Sequence, residues 1–141
     1  MDEELQEPQV SYDRAIDIAL WMTFKYRMDN RIYGIQWLRK SNQHQVVELE
    51  NRRRKTLLEF PQNYSDMDYT RISTIHFDKN PLPHWEEIRA IFSSVHGETL
   101  RFLLSYEVPL EKLIRFALAS RGCDMDGQWI GYEKAYEVWL K

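Results

Sequence analysis

Four consecutive basic residues are the groups in this sequence best suited to bind an anion: Arg52, Arg53, Arg54 and Lys55. An arginine guanidinium forms two parallel hydrogen bonds with a phosphate or a carboxylate. The run therefore predicts contact with an acidic protein surface or with the phosphates of a nucleic acid. The alternative is a solvated helix face, because acids at positions 48 and 50 stand four residues before two of these arginines and would pair with them.

The segment 122–133 combines glycines with acidic residues in a spacing that suits a cation. Its third, fifth, sixth and twelfth positions are Asp124, Asp126, Gly127 and Glu133. The segment resembles the calcium-binding loop of an EF-hand, in which oxygen ligands surround a sharp glycine turn. The resemblance makes the three acids candidate calcium ligands. It departs from the motif at the first position, which is Gly122, and at the ninth, Ile130. The alternative is an Asp-Gly turn between two helices, with Trp129 folded back on the core.

The residues that most often act in catalysis do not stand in a catalytic spacing. The four histidines form neither an HExxH motif nor a paired Cys/His metal site: His44, His76, His84 and His96. No serine lies in a G-x-S-x-G elbow, and no glycine-rich loop is present to bind a phosphate. We therefore expect a protein without enzymatic activity and without a cofactor. The alternative is a small enzyme whose site is assembled from distant residues such as His76, Asp78 and Cys123.

Aromatic residues are abundant, with five Trp, eight Tyr and six Phe in 141 residues. Protein interfaces are enriched in Trp, Tyr, Met and Arg. We expect some of these side chains to form a surface that binds another protein or a second copy of the chain, with Trp37 and Trp129 as aromatic anchors. The first hypothesis is thus an adaptor, inhibitor or regulator that acts through protein contacts. A nucleic-acid-associated regulator that uses the basic run 52–55 is the alternative.

Length and composition fit one globular domain over residues 11–141, preceded by a disordered acidic tail at 1–10. The net charge is −3, but residues 11–60 carry ten basic and six acidic side chains, a local excess of +4. Cys123 is the only cysteine, which fits a reducing compartment. No apolar run is long enough to cross a bilayer, and the acidic N-terminus lacks the features of a signal peptide. We therefore expect a cytoplasmic protein with no membrane partner.

The first half of the chain predicts a helix followed by short strands. Ser11 is a suitable N-cap, and apolar residues recur at helical spacing over 12–28. Residues 31–60 fit both a helical and an alternating pattern, and their β-branched and aromatic residues favour strands. The predicted strands cover 33–37, 46–49, 56–60 and 71–77, with 51–54 joining the second to the third.

The second half predicts helices with one apolar face each, over 83–95, 100–107, 109–121 and 132–140. Such faces are buried when the helices pack on each other or on a small sheet. The sequence thus predicts an α+β fold. It consists of an N-terminal helix, a small antiparallel sheet in roughly 31–77, and a C-terminal half of about four packed helices. An all-α bundle is the alternative.

Overall fold

The computed structural model describes residues 7–9, 11–49 and 58–141. The chain divides into two compact units, residues 1–90 and 91–141. Over the described residues, the fold consists of an N-terminal helix, a two-stranded antiparallel hairpin and five further helices. The predicted α+β class with a helical C-terminal half is confirmed. The assignment of residues 11–141 to one domain stays a prediction.

Helix α1 covers Tyr12–Lys25 and provides the largest part of the first unit's core. The side-chain oxygen of Ser11 accepts a hydrogen bond from the backbone N–H of Arg14 at 3.2 Å, which confirms the predicted N-cap. The helix ends three residues before the predicted boundary, and one 3-10 turn, Arg27–Asp29, follows it. Its core-facing residues recur at helical spacing and are Ala15, Ile18, Ala19 and Met22.

Strands β1 (Tyr33–Leu38) and β2 (Gln43–Glu48) form the hairpin, and they pair Ile35 with Val46 at its centre. The turn between them contains Asn42 at φ 52°, a left-handed conformation that asparagine tolerates. The strand predicted over 33–37 is therefore confirmed. The partner of β2 is β1 rather than the segment 56–60, because the short turn at 39–42 closes the nearer pair.

One further residue bridges each outer edge of the hairpin. The backbone of Gln9 exchanges two hydrogen bonds of 2.6 Å with His44 on β2. The backbone of Glu59 bonds in the same way to Ile35 on β1, at 2.8 and 3.0 Å. Gln9 belongs to the tail predicted as disordered, and it is held in an antiparallel bridge. Residues 1–6 and 10 of that tail lie outside the described residues, as do positions 56 and 57 of the predicted third strand.

Residues 71–77 do not form the predicted strand, since they lie in helix α2, Tyr69–His76, and in the residue that follows it. Asp68 caps this helix, and its Oδ1 accepts a hydrogen bond from the backbone N–H of Arg71 at 2.8 Å. The β-branched residues that suggested a strand carry only a weak preference. The cap and the burial of Ile75 in the helix outweigh it.

The four predicted C-terminal helices are present. They are α3 (Pro83–Ser94), α4 (Gly97–Ser105), α5 (Leu110–Ala119) and α6 (Tyr132–Trp139). Trp85 of α3 packs against the core of the first unit, but the apolar faces of α4, α5 and α6 are not buried as predicted, because the buried hydrophobic residues of the second unit are Ala119 and Ala135. Among the described helices, the longest has 14 residues, and none combines the length and apolarity needed to cross a bilayer.

Candidate partner-binding surface

The loop between α5 and α6 is built to hold Trp129 in one position. Gly122 adopts φ +73°, and its α-carbon lies against the Trp129 ring so closely that an added Cβ would stand 2.3 Å from Cζ3. Cys123 and Trp129 face each other in an antiparallel bridge. The backbone N–H of Asp124 donates to the carbonyl of Gln128 at 2.8 Å, which closes the loop. The indole is therefore fixed on a glycine that no larger residue could replace without displacing the ring.

The Asp124 side chain stabilises the same loop from inside. Its Oδ1 accepts hydrogen bonds from the backbone N–H groups of Asp126 and Gln128, both at 2.9 Å. The indole N–H of Trp139 donates to the Cys123 carbonyl at 2.9 Å and ties the loop to α6. These bonds give the segment the geometry of the Asp-Gly turn, the alternative to a calcium loop. In residues 7–9, 11–49 and 58–141, no three His, Cys, Asp or Glu side chains gather to hold a metal ion.

The calcium candidates Asp124, Asp126 and Glu133 are thus divided between loop and helix. Asp124 accepts two backbone N–H groups, and Glu133 belongs to the first turn of α6. The loop instead presents an apolar surface to solvent. Trp129 is 64% exposed and packs edge-on against Tyr132, with ring centroids 5.2 Å apart, while Met125 is also exposed. We call Met125, Trp129 and Tyr132 the Trp129 surface.

The second predicted anchor, Trp37, lies near the end of β1 in the first unit and is 53% exposed. Its indole N–H donates to Asn42 Oδ1 at 3.3 Å, and the Arg39 guanidinium lies 5.6 Å from its ring centroid. The ring lines an open cavity of about 280 Å³ that also contains Tyr12 and Glu59. Trp37 belongs to the first unit and Trp129 to the second.

The Tyr12 phenol in that cavity donates a hydrogen bond to the Glu59 carboxylate. Burial, followed by the bond to Glu59 and its negative charge, raises the pKa of Tyr12 to about 12. The predicted basic run Arg52, Arg53, Arg54 and Lys55 lies outside the described residues. Its role stays a prediction from the sequence.

A buried polar cluster between α1 and α2 was missed in the sequence. Asp17 is 4% exposed, and its carboxylate accepts hydrogen bonds from the Arg71 guanidinium and, at 2.8 Å, from the Tyr64 hydroxyl. Burial and the neighbouring Asp17 charge raise the pKa of Tyr64. The one available signal was an acid within the apolar stretch 15–22 of a helix. Each partner of Asp17 is fixed by a second contact: Arg71 also donates to the Asp13 carbonyl, and the Tyr64 ring packs against Trp85. The cluster therefore positions α2 on α1.

The residues of the alternative catalytic site, His76, Asp78 and Cys123, come from both units of the chain. Asp78 pairs with Arg14 at 3.3 Å and lines a cavity of about 330 Å³, whose lining includes neither His76 nor Cys123. His76 and Asp78 belong to the first unit, and Cys123 belongs to the second. His84 stacks on Trp21, with ring centroids 4.5 Å apart, and burial lowers its pKa. These contacts give Asp78 and His84 structural roles.

Comparison of the sequence with models of protein families gave no match, and comparisons with curated proteins and with solved structures gave none either. The function proposed below therefore rests on the side chains and the loop geometry.

Proposed function

We propose that this chain is a non-enzymatic binding protein, an adaptor, inhibitor or regulator, that recognises another protein through the Trp129 surface. The observation that carries the proposal is an indole that the loop fixes in place and leaves 64% exposed. Large aromatic side chains in fixed positions dominate the energetics of many protein interfaces. Tyr132, whose ring packs against Trp129, and Met125, in the same loop, are also exposed and are residue types that interfaces favour.

The indole offers enough apolar area to act as an anchor. Its exposed part amounts to roughly 150 Å², and removing that area from water contributes about 3–4 kcal/mol. Binding normally requires flexible side chains and loops to become ordered, which opposes association. The loop around Trp129 is already closed by the Asp124 bonds and by Gly122, so this opposing term is small.

Charge supplies the second argument, and it favours a partner with an acidic surface. Residues 11–60 have a net charge of +4, ten basic against six acidic side chains, and the run 52–55 contributes four of the bases. Such segments orient an approaching partner and accelerate its association more than they strengthen the complex. The proposed compartment is the cytoplasm, because Cys123 is the only cysteine of the chain.

Affinity capture from the native host tests the proposal. The tagged chain is compared with Trp129→Ala and with Phe77→Ala, a matched control that removes another exposed aromatic ring from the first unit. We expect one protein at fixed stoichiometry with the wild type and the control, and its loss with Trp129→Ala. Equal capture by all three proteins would contradict the assignment of the surface.

Elution in a rising salt gradient separates this function from the nucleic-acid alternative. Phosphate contacts make affinity fall steeply with salt, because bound counterions are released on association. Nucleic acid that elutes steadily with salt, recognised by its absorbance, would support a role for Arg52–Lys55 in place of the Trp129 surface. A partner held mainly by buried apolar area is retained to higher salt.

A further inference from the structure

The hairpin and the start of α1 place three aromatic rings around one cavity of the first unit. The strand register sets Trp37 directly opposite His44, so the two side chains lie on the same face of the hairpin. Ile35, two residues before Trp37, belongs to that face as well. Tyr12, the first residue of α1, packs its ring against His44, with ring centroids 5.3 Å apart. We call the space that these residues line, about 280 Å³, the Tyr12 cavity.

The remaining described walls of the Tyr12 cavity are Leu58 and Glu59. Two backbone hydrogen bonds, at 2.8 and 3.0 Å, hold Glu59 against Ile35 on the outer edge of β1. The Glu59 carboxylate accepts the hydrogen bond of the Tyr12 phenol. A carboxylate thus stands beside three aromatic rings and two aliphatic side chains. The described walls all come from the first unit, so the cavity is formed within that unit.

The charges of the lining favour a cation. With histidine neutral, Glu59 is the one charged group among the described residues that line the Tyr12 cavity. Burial and Glu59 raise the pKa of Tyr12 to about 12, so the phenol stays neutral and the negative charge stays on the carboxylate. The faces of aromatic rings attract cations as well. The Arg39 guanidinium, which lies 5.6 Å from the Trp37 ring centroid and outside the described lining, is one such cation on this indole.

Hydrogen-bonding groups distinguish between kinds of cation. A primary ammonium carries three N–H donors, and each of them requires an acceptor once the group has left water. The described lining offers few acceptors, because the Glu59 carboxylate already accepts from Tyr12 and His44 Nδ1 is buried. A quaternary ammonium has no N–H group and contacts its site through methyl groups, which aromatic and aliphatic walls suit. The volume also fits a small group, since ligand sites usually span about 300–1,000 Å³.

We propose that the Tyr12 cavity binds a trimethylammonium group, with Tyr12, Trp37 and His44 against its methyl groups and the Glu59 carboxylate balancing its charge. This inference goes beyond the proposed function and uses different residues from the Trp129 surface. Small molecules such as choline carry this group, and so do methylated lysine side chains of proteins. Both sources present the same chemistry to the cavity.

Titration of the full chain with choline, followed by nuclear magnetic resonance at pH 8 where histidine is neutral, tests the proposal. We expect the indole N–H signal of Trp37 to shift, with a dissociation constant of about 1 mM or lower. The neutral tert-butyl analogue of choline lacks the charge, and ethanolamine lacks the methyl groups. Each should bind at least about 5-fold more weakly. Equal binding of choline and its neutral analogue would overturn the proposal, and so would an unchanged indole signal.

Substitutions in the lining locate the site. Trp37→Ala and Glu59→Gln should each weaken choline binding at least about 5-fold, measured on the choline methyl signal. Phe77→Ala removes an exposed ring that does not line the cavity, and it should bind choline like the wild type. Circular dichroism shows whether each variant is folded. Glu59→Gln keeps its backbone bridge to Ile35 and an acceptor for Tyr12, so it tests the site even if Trp37→Ala fails to fold. Wild-type affinity in both lining variants would contradict the proposal.

Two further comparisons identify the source of the group and separate the two proposals. A peptide with one trimethyllysine that binds more tightly than choline, and loses this binding without its methyl groups, assigns the group to a protein side chain. Weaker binding of the peptide than of choline assigns it to a free small molecule. Trp129→Ala should leave choline binding unchanged, so failure of the Trp129 surface and failure of the Tyr12 cavity are observed independently.

Discussion

Replacing Gly122 with alanine tests how the loop holds Trp129. The backbone there adopts φ +73°, which costs a residue with a Cβ about 1 kcal/mol or more. The new Cβ would also stand 2.3 Å from Cζ3 and 2.8 Å from Cη2 of the Trp129 ring. Carbon atoms in ordinary contact are about 3.5–4.0 Å apart, so the ring must move by more than about 1 Å.

Gly127→Ala isolates the backbone contribution. This glycine has a similar φ, +82°, but nothing lies within 4 Å of an added Cβ. We expect Gly127→Ala to lower the free energy of unfolding by about 1 kcal/mol. Gly122→Ala should lower it by about 2–4 kcal/mol, because overpacking adds about 1–3 kcal/mol. Urea denaturation followed by far-ultraviolet circular dichroism measures both values.

A double-mutant cycle identifies the ring as the cause. In a Trp129→Ala background the ring is absent, so Gly122→Ala should cost only the backbone contribution of about 1 kcal/mol. Two results would refute the reasoning. The first is an equal cost for the two glycine substitutions, and the second is a large cost for Gly122→Ala that persists without the ring.

Three further predictions concern the first unit and the pH. Asp17→Asn breaks a buried ion pair and should lower the free energy of unfolding by about 3–5 kcal/mol. Glu98→Gln breaks an exposed pair and should lower it by less than about 1 kcal/mol. Similar losses for the two variants in urea denaturation would contradict this prediction. Burial and Glu59 raise the pKa of Tyr12 from 10.0 to about 12, so its neutral phenol contributes stability that is present below pH 10 and is lost as the pH rises towards 12. Glu59→Gln should therefore move the titration of the Tyr12 phenol to lower pH. The titration is followed by ultraviolet absorbance, with Tyr12→Phe as the blank. An unchanged titration would count against the hydrogen bond between Tyr12 and Glu59. Burial lowers the pKa of His84 from 6.5, so its neutral ring contributes stability that is present above pH 6.5 and is lost as the pH falls through the folded-state pKa. His84→Phe keeps an aromatic ring and should reduce the loss of unfolding free energy below pH 6.5; a slope equal to that of the wild type would show that another group is responsible.

Local signals in the sequence were sufficient to predict most elements. The Ser11 cap and the helical spacing after it predicted α1, and alternating residues predicted β1. Proline and glycine positions separated the C-terminal helices correctly, because these residues end or begin helices for steric reasons. Helix α5 starts directly after Pro109, and Gly122 follows its end in a left-handed conformation.

Features that depend on distant partners were not predictable. The β-branched residues at 71–77 favour a strand locally, but Asp68 caps a helix there and Arg71 binds Asp17 on α1. Tyr64 joins the same carboxylate from 47 residues away. No pattern within a short window identifies such pairs, because the contact exists only after the chain has folded.

For the Trp129 surface too, local features were predicted from the sequence and contacts within the folded loop were not. Trp129 was predicted as an anchor from its residue type, and the Asp-Gly turn was predicted as one of two structures for its loop. The close approach of Gly122 to the ring required the structure, since it depends on a bridge that reverses the chain between them. The exposure of Leu113 and Ile114 on α5 was not expected either, because an apolar helical face predicts burial and does not say what covers it.

The affinity of the captured partner for three purified proteins is the most direct test of the central claim. Calorimetry at moderate salt would compare the wild type, Trp129→Ala and Phe77→Ala. We predict that Trp129→Ala weakens binding more than about 30-fold, as expected for an aromatic hot spot, and that Phe77→Ala leaves the affinity nearly unchanged. Equal affinities of all three proteins for the partner would contradict a function centred on the Trp129 surface.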